Sequence, residues 1–146
     1  MRLLSIGDPD NGCDYHRIIV PTLLATGFSK KKITNKFDED VVKEGWDYVL
    51  INRGIEFDIE LLQKWRVQYK FKLVIDNDDT WELDPSHFLF ERYTNEGLRD
   101  KVISWIELAD LNIVTHQRLA DKVSQINPNV IVRPNTIPYG WEQFCW

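Results

Sequence analysis

The sequence predicts an α/β fold, a Rossmann-like, doubly wound parallel sheet of about six strands with helices on both faces. Short apolar runs alternate with amphipathic stretches over most of the 146 residues, which is the pattern of βαβ units and a parallel sheet. Several apolar runs are continuous rather than alternating, as expected when helices cover both sides of a sheet. For this class we expect the strand order 3-2-1-4-5-6.

Six segments have the composition of short buried strands. The first run, RLLSIG, ends at Gly7, and DYVLINR is the strongest pattern of the set. The predicted strands cover residues 2–7, 31–37, 47–53, 71–77, 110–116 and 129–135.

The segments between the strands have helical patterns. Gly27 ends the first helix, and Pro21 must lie near a helix start or at a kink, because a mid-helix proline loses a hydrogen bond. Asp58 precedes apolar residues at helical spacing (Leu61, Leu62, Trp65 and Tyr69) and is placed to cap that helix. The predicted helices cover residues 15–27, 38–45, 57–70, 88–109 and 117–126.

Charge and composition limit the possible functions. Eighteen basic against 23 acidic residues give a net charge of -5, which argues against a nucleic-acid partner. The two cysteines, Cys13 and Cys145, lack metal-ligand spacing and favour a cytoplasmic location, and no run has the length of a membrane span. Of the six tryptophans, we expect Trp65 and Trp105 in the core. Residues 1–137 are predicted to form one domain, and residues 138–146 a linker or aromatic tail.

Polar residues follow the predicted strands at the end where open parallel sheets bind ligands. We therefore expect these residues to converge on one edge of the sheet. GDPDNG lacks the GxGxxG spacing and the Lys-Ser/Thr of a phosphate loop, so a nicotinamide cofactor or a nucleoside triphosphate is not expected. The strand-end residues are 7–17, 52–54, 76–81, 115–116 and 133–135.

Three aspartates in KLVIDNDDTWELDPSH, namely Asp76, Asp78 and Asp79, are crowded behind one strand. DNDDT matches the Asp-x-Asp-x-Thr of magnesium-dependent, haloacid-dehalogenase-type phosphatases, although no later strand ends in the paired acids that complete their magnesium site. Asp-x-Asp also occurs in glycosyltransferases that hold Mn²⁺ against a nucleotide diphosphate. The structural alternatives are a helix-capping cluster and neutralisation of the aspartates by Arg53.

The ordered set of strand-end motifs resembles the N-terminal, acceptor-side half of GT-B glycosyltransferases of the GT4-like group, as in phage and bacterial members. GCDYHRIIVPTLLATGF resembles the opening glycine loop and arginine-containing helix, and DYVLINRG the strand that ends in an arginine. LVIDNDDTWELDPSH is similar to the acidic segment of that family. ADLNIVTHQRLADKV and NVIVRPNTIP resemble its run into the interdomain linker.

The resemblance implies that this chain binds a glycan or other hydroxyl acceptor, while a domain beyond Trp146 holds the nucleotide-sugar donor. It implies that catalysis needs no metal or other cofactor, and that this half alone would not catalyse the transfer. Asp76, Asp78 and Asp79 would accept hydrogen bonds from sugar hydroxyls, or one of them would act as base. The residues that would line the cleft are Gly12, Tyr15, His16, Arg17, Arg53, Trp81, His116 and Asn135.

For individual residues, a purely structural role remains an alternative to ligand binding. Gly12 would serve either a tight turn or a loop that admits a ligand to the backbone. Trp81 would either stack on a sugar ring or anchor the core, and His16 and His116 would be ordinary polar residues. A non-catalytic Rossmann-like binding module is the competing class for the whole chain.

Overall fold

The computed structural model describes residues 1–53 and 57–135 and contains a six-stranded sheet in which every neighbouring pair is parallel. Helices pack on both faces of the sheet, so the predicted fold class is confirmed. The strands are β1 (Arg2–Ile6), β2 (Lys30–Thr34), β3 (Tyr48–Asn52), β4 (Lys72–Asn77), β5 (Leu111–Val114) and β6 (Val130–Val132).

The order of the strands differs from the prediction. The sheet runs β2-β1-β3-β4-β5-β6, so the predicted order 3-2-1-4-5-6 is wrong. One edge of β1 pairs with β2, and its other edge pairs with β3. The chain therefore reverses its direction across the sheet after β2, and the topological switch point lies between β1 and β3. Local apolar patterns predict that a strand forms, but they do not specify its neighbour.

The helices lie in the predicted segments, but several of their ends differ. The first helical segment ends at Leu24 with Ala25 as its C-cap, so the prediction that Gly27 ends it is wrong, and α3 and α7 end at Val42 and Val123, earlier than predicted. The first helical segment starts at Gly12, because the Asn11 side chain accepts hydrogen bonds from the Cys13 and Asp14 amides and caps it. The segment predicted as one helix over 88–109 is two helices separated at Gly97, whose φ is 70°. The helices are α1 (Gly12–Asp14), a π-helical turn (Tyr15–Ile19), α2 (Val20–Leu24), α3 (Glu39–Val42), α4 (Ile59–Tyr69), α5 (Phe90–Asn95), α6 (Leu98–Leu108) and α7 (Gln117–Val123).

Alternate residues of each strand point to opposite faces of the sheet and form separate cores. Trp65 and Trp105 are 7% and 1% exposed and pack with Leu4, Ile51 and Ile75 on one face, as predicted for these tryptophans. On the same helix as Trp65, Leu62 is fully buried, whereas Leu61 is 40% exposed. A further core surrounds Ile106 between α5, α6 and α7.

The first helical segment packs on the other face of the sheet, where Ile18 meets Leu3, Leu50 and Val74. Right-handed crossovers explain this placement, because the chain moves in one direction from β1 to β2 and in the opposite direction afterwards. This segment begins directly beneath the carboxyl ends of β1 and β3. In the described part of the chain, no helix is long and apolar enough to cross a bilayer.

Candidate functional site at the carboxyl ends of the strands

A polar cavity of about 480 Å³ lies at the switch point between β1 and β3. Open α/β sheets bind their ligands at such a point, because the loops that leave the two strands diverge there. The cavity walls carry carboxylates, amides and one guanidinium, with apolar contacts from β1, β3 and Phe57. Its polar side chains are Asp8, Asn11, Cys13, Asp14, Asn35, Asn52 and Arg53.

Asp14 and Asn52 organise this cavity. Asn52 Nδ2 donates to Asp14 Oδ1 at 2.9 Å, and the backbone amide of Asp8 donates to Asp14 Oδ2 at 2.9 Å. Asn52 Oδ1 is buried and has no hydrogen-bond partner within the described residues. The two hydrogen bonds hold the Asp14 carboxylate against Asn52 and the Asp8 amide at the cavity wall.

Gly7 brings the first helical segment close to the end of β1. A Cβ at this position would lie 3.1 Å from Ile18 Cγ2 and 3.4 Å from Asp14 Cβ. The contact with Ile18 is tighter than an ordinary van der Waals contact, and the contact with Asp14 lies at the near end of the ordinary range. A residue without a side chain at position 7 therefore lets Asp14 reach the Asp8 amide.

Arg17, Asp76 and Arg133 form a buried ionic network beside the cavity. Arg17 Nε and Nη2 donate to the two oxygens of Asp76 at 2.8 and 3.1 Å, and Arg133 Nη2 donates to Asp76 Oδ2 at 2.6 Å. Arg17 is 2% exposed and Asp76 is fully buried. Arg17 Nη1 also donates to Asn135 Oδ1 at 2.9 Å. The network joins the first helical segment to the ends of β4 and β6.

Pro21 explains one of these contacts. A proline has no N–H, so Pro21 cannot donate to the Arg17 carbonyl four residues earlier, as a residue in a regular α-helix would. That carbonyl accepts a hydrogen bond from Arg133 instead. The π-helical turn and Pro21 together leave Arg17 tied to Arg133 through both its side chain and its backbone.

Burial shapes the protonation of this network. It raises the pKa of the Asp76 carboxyl above its ordinary value, while the hydrogen bond from Arg17 and the charge of Arg133 oppose the rise. Burial likewise lowers the pKa of Arg133, which the Asp76 carboxylate counteracts. Two guanidiniums on one carboxylate leave one excess positive charge at this position.

A second ionic group, more exposed, joins the ends of β3 and β4. Arg53 Nε donates to Asp78 Oδ1 at 2.7 Å, and Arg53 Nη2 donates to Asp79 Oδ2 at 3.1 Å. Burial raises the pKa of Asp78, but the hydrogen bond and charge of Arg53 outweigh burial and hold that pKa below its ordinary value. Arg53 thus neutralises the aspartates of the neighbouring strand, which is one of the alternatives that the sequence left open.

Cys13 adds a thiol to the same group. Burial raises the pKa of the Cys13 thiol, and the charge and hydrogen bonding of Asp78 add to the rise. A raised pKa keeps the sulfur protonated, whereas the thiolate is the form that attacks as a nucleophile.

The structure brings Arg17, Arg53 and Asp76 to one rim of the sheet, as expected from their positions at the strand ends. Arg17 contacts Asp76 directly, and the Arg53 amide donates to the Asp76 carbonyl at 3.0 Å. Both oxygens of Asp76 are engaged by guanidiniums, whereas Asp79 has a side chain that is 71% exposed. Among the three aspartates, Asp79 is the most accessible to a ligand.

The other predicted residues of the first helical segment lie close to this rim. Tyr15 and His16 are half-buried on the π-helical turn, and their rings meet edge to face with centroids 5.3 Å apart. Gly12 is the exposed first residue of α1, and a Cβ built on it meets nothing within 4 Å. Close packing against another part of the described chain therefore does not require a glycine at position 12.

Three predicted residues lie farther along the chain. Trp81 is 5% exposed and packs with Tyr93 and Ile106, so its indole lies in the core and corresponds to the anchor alternative. His116 caps α7, where its Nδ1 accepts the Leu119 amide at 3.2 Å. Asn135 belongs to the buried ionic network through Arg17. The predicted aromatic tail, with Trp141, Phe144 and Trp146, lies outside the described residues.

Three residues that organise the site, Asp14, Asn52 and Arg133, lie within the predicted strand-end segments but were not chosen as candidate site residues. Two of them carried a usable signal for that choice, since Asn52 ends β3 and Arg133 directly follows β6. Three crowded carboxylates after β4 also required more cations than Arg53 alone, and strand-end arginines were the nearest source. Asp14 had no such signal, because its role depends on the close packing of Gly7 against the first helical segment.

The described residues contain no group of three or more histidine, cysteine, aspartate or glutamate side chains placed to hold a metal ion. No protein-family model matches the chain, and a search of curated proteins found no significant relative.

Proposed function

We propose that this chain is the acceptor-binding domain of a glycosyltransferase, in which a sugar passes from a nucleotide-sugar donor to a hydroxyl group held at the β1/β3 switch point. The observation that carries the proposal is the polar cavity of about 480 Å³ with Asn52 at its wall. The other polar side chains on this wall, including Asp8 and Asn35, carry oxygens that accept hydrogen bonds from hydroxyl groups. The resemblance of the ordered strand-end motifs to GT-B glycosyltransferases supports the same function.

The charged side chains favour a hydroxylated acceptor over the phosphates of a donor in this half. Arg17 is buried on Asp76, and Arg53 is held by Asp78 and Asp79. Neither guanidinium offers an unoccupied fork for bidentate phosphate binding. Asp8, by contrast, is an exposed carboxylate on the cavity wall, placed to accept a hydrogen bond from a hydroxyl and to act as its base.

The phosphatase alternative requires Asp76 to attack phosphorus. Asp76 is fully buried, and its two oxygens accept hydrogen bonds from Arg17 and Arg133. A carboxylate that is covered and doubly paired is a poor nucleophile. This geometry favours the glycan-binding function.

Ligand-observed saturation-transfer NMR tests the proposal, with one panel of neutral glycans and one panel of nucleotide sugars. We expect the chain to bind at least one glycan, and the Asp8→Ala variant to bind it about tenfold more weakly, because one hydrogen bond to a charged group is lost. Asp10→Ala is the matched control, since Asp10 lies two residues away and is not among the cavity-lining side chains. Absence of glycan binding, or magnesium-dependent hydrolysis of a phosphate ester that Asp76→Asn abolishes, would contradict the proposal.

A further inference from the structure

An apolar groove of about 330 Å³ lies on the face of the sheet that carries the first helical segment. The strands form its floor, and side chains of α2 and Phe28 line it as well. Parallel sheets are normally covered on both faces, because both faces carry apolar side chains. The groove is therefore a place where a cover is expected. Its floor consists of Leu3, Leu50, Val74, Leu111 and Ile113.

The helices that follow β2 pack on the opposite face. Side chains alternate between the two faces along a strand, so Val74 and Ile113 line the groove while Ile75 and Val114 belong to the opposite cores. Those opposite cores contain the buried apolar residues of α3 to α7. Within residues 1–53 and 57–135, the core beneath the groove includes one helical side chain, Ile18 of the first helical segment. The described helices therefore leave β4, β5 and β6 uncovered on this face.

Exposed apolar side chains adjoin the groove on both sides. Ile131 of β6 is in register with Ile113 of β5, so its side chain lies on the same face, and it is 48% exposed. On α2, Leu24 follows the groove residue Pro21 by three positions, the spacing of one helical face, and is 52% exposed. Adjoining apolar side chains that form one exposed surface mark a contact site.

The last described residues lie on this same face. Arg133 lines the groove at the carboxyl ends of the strands, and its guanidinium donates to Asp76 Oδ2 at 2.6 Å. Asn135 Oδ1 accepts a hydrogen bond from Arg17 Nη1 at 2.9 Å. Residues 133–135 thus cross from the edge strand β6 towards the first helical segment. The chain leaves Asn135 at the carboxyl end of the groove.

The residues that follow Asn135 have the composition of a cover. Residues 136–146 read TIPYGWEQFCW and contain one charged residue, Glu142. Trp141 and Phe144 are three positions apart, a spacing that places two side chains on one side of a helical turn. Aromatic rings carry the largest apolar area of any side chains, and they gain most when they pack against aliphatic residues such as those of the groove floor.

The length of this segment fits the groove. The groove runs along the strands from Arg133 to Leu111, which begins β5. A strand of five residues is about 17 Å long. Residues 136–146 would span about 16 Å as a helix and about 36 Å as an extended chain. Either conformation reaches from Asn135 to the far end of the groove.

We propose that residues 136–146 fold back over the sheet and pack Trp141 and Phe144 into the apolar groove, against Val74 and Ile113. The segment that was predicted to be a linker or aromatic tail is then the cover of the second face of this domain. The inference does not depend on the proposed function, because the groove lies on the face of the sheet and the switch-point cavity lies at the strand ends.

Acrylamide quenching of tryptophan fluorescence tests whether the segment is covered. The four tryptophans of the described residues, namely Trp46, Trp65, Trp81 and Trp105, are at most 7% exposed and contribute little quenching. We expect Trp141→Phe to leave the readily quenched fraction of the fluorescence unchanged, because Trp141 is shielded in the groove. A readily quenched component that Trp141→Phe removes would overturn the proposal.

Nuclear Overhauser effects between the Trp141 ring and labelled methyl groups test where the segment lies. We expect contacts with the methyl groups of Val74 and Ile113, whose resonances should shift in Trp141→Ala. Ile75 and Val114 are matched internal controls, because each follows a groove residue on the same strand and points to the opposite face. Contacts with the control methyl groups instead, or none with the groove, would contradict the proposal. Contacts seen only between differently labelled copies in a mixed sample would replace it with an exchange between two chains.

Urea denaturation measures the contribution of the cover to stability. Trp141→Ala should lower the urea midpoint by about 1 M, since one large apolar side chain loses its burial. Val67→Ala is the control and should leave the midpoint unchanged, because Val67 is an 80% exposed apolar residue on α4. Equal midpoints for Trp141→Ala and the wild type would show that Trp141 is not packed.

Discussion

The carboxylates that follow β4 divide into two groups according to the guanidinium that each one contacts. Asp76 is fully buried between Arg17 and Arg133, whereas Asp78 and Asp79 meet Arg53 nearer the surface. The crowding of three negative charges within four residues is tolerable because each carboxylate has an arginine partner. The pKa of Asp76 is raised, because burial outweighs the two arginines, and the pKa of Asp78 is lowered, because the hydrogen bond and charge of Arg53 outweigh burial.

The lowered pKa of Asp78 makes part of the stability dependent on pH. A carboxyl whose folded-state pKa lies below its unfolded value, about 3.9, stabilises the fold above that value and loses this contribution as pH falls through the folded-state pKa. We expect Asp78→Asn to lower the free energy of unfolding by about 1–3 kcal/mol at pH 7. The difference between the two proteins should shrink as pH falls below about 4, in urea denaturation followed by circular dichroism.

Asp121→Asn serves as the control, because Asp121 is exposed and its side chain accepts a hydrogen bond from Gln117 rather than from a guanidinium. Asp76 titrates in the wild type and in both variants, and the charge of Asp78 affects the pKa of Asp76 less than burial and the two arginines do. A stability difference for Asp78→Asn that is the same at pH 7 and pH 3 would mean that the Arg53 pair does not lower the pKa of Asp78.

At the scale of the elements, the first helical segment is fixed at three points. Gly7 allows close contact with Ile18, Ser5 Oγ and Thr22 Oγ1 share a buried hydrogen bond of 2.7 Å, and Arg17 reaches Asp76. The contact at Gly7 also holds the Asp14 carboxylate beneath the switch-point cavity. The geometry of the cavity therefore depends on how closely this segment approaches β1.

Gly7→Ala should displace the segment, because the new methyl group would lie 3.1 Å from Ile18 Cγ2. Overpacking of this kind costs about 1–3 kcal/mol, and we expect that loss in the free energy of unfolding. The same displacement should weaken glycan binding, since Asp14 and Asn52 would separate. Chemical denaturation and NMR titration measure the two effects.

The neighbouring glycine provides a matched control. A Cβ at Gly12 meets nothing within 4 Å, so Gly12→Ala should leave stability unchanged or raise it by up to about 1 kcal/mol through the entropy of the unfolded chain. Equal effects of the two substitutions would show that close packing at Gly7 does not position the helix.

Across the elements, the sequence predicted what depends on local pattern. The six strands, the Asp58 cap and the placement of Pro21 next to a helix start follow from apolar periodicity, capping chemistry and the missing proline N–H. The strand order was not predictable in this way, because pairing of β1 with β3 depends on contacts between segments distant in sequence. The convergence of polar residues on one rim was predicted, because it follows from parallel strands ending at the same edge of the sheet. The pairing of Arg17 with Asp76 was not predicted, because it depends on contacts between segments distant in sequence.

At the scale of the whole molecule, the buried network links parts of the chain that are far apart in sequence. Arg17 and Arg133 are separated by 116 residues and meet through Asp76. β6 is a three-residue edge strand, with Ile131 and Val132 48% and 39% exposed. Arg133 anchors its end, since its amide donates to the Val114 carbonyl at 2.7 Å and its side chain binds Asp76.

Removal of the shared carboxylate should therefore destabilise the molecule more than loss of one arginine. Asp76→Asn leaves two guanidiniums without a charged partner, and we expect the free energy of unfolding to fall by about 3–5 kcal/mol. Arg133→Met keeps the bidentate pair of Arg17 and Asp76, so its cost should be smaller and concentrated at β6. Urea denaturation measures the loss of stability in Asp76→Asn. Hydrogen exchange of the backbone amide at position 133, compared with exchange of amides in β1 and β3, measures the local effect of Arg133→Met.

Glu96→Gln is the control, because Glu96 and Arg92 form an exposed ion pair at the end of α5. For this substitution we expect the free energy of unfolding to change by less than about 0.5 kcal/mol. Uniformly faster exchange throughout the sheet in Arg133→Met would show that Arg133 supports the whole core rather than the end of β6.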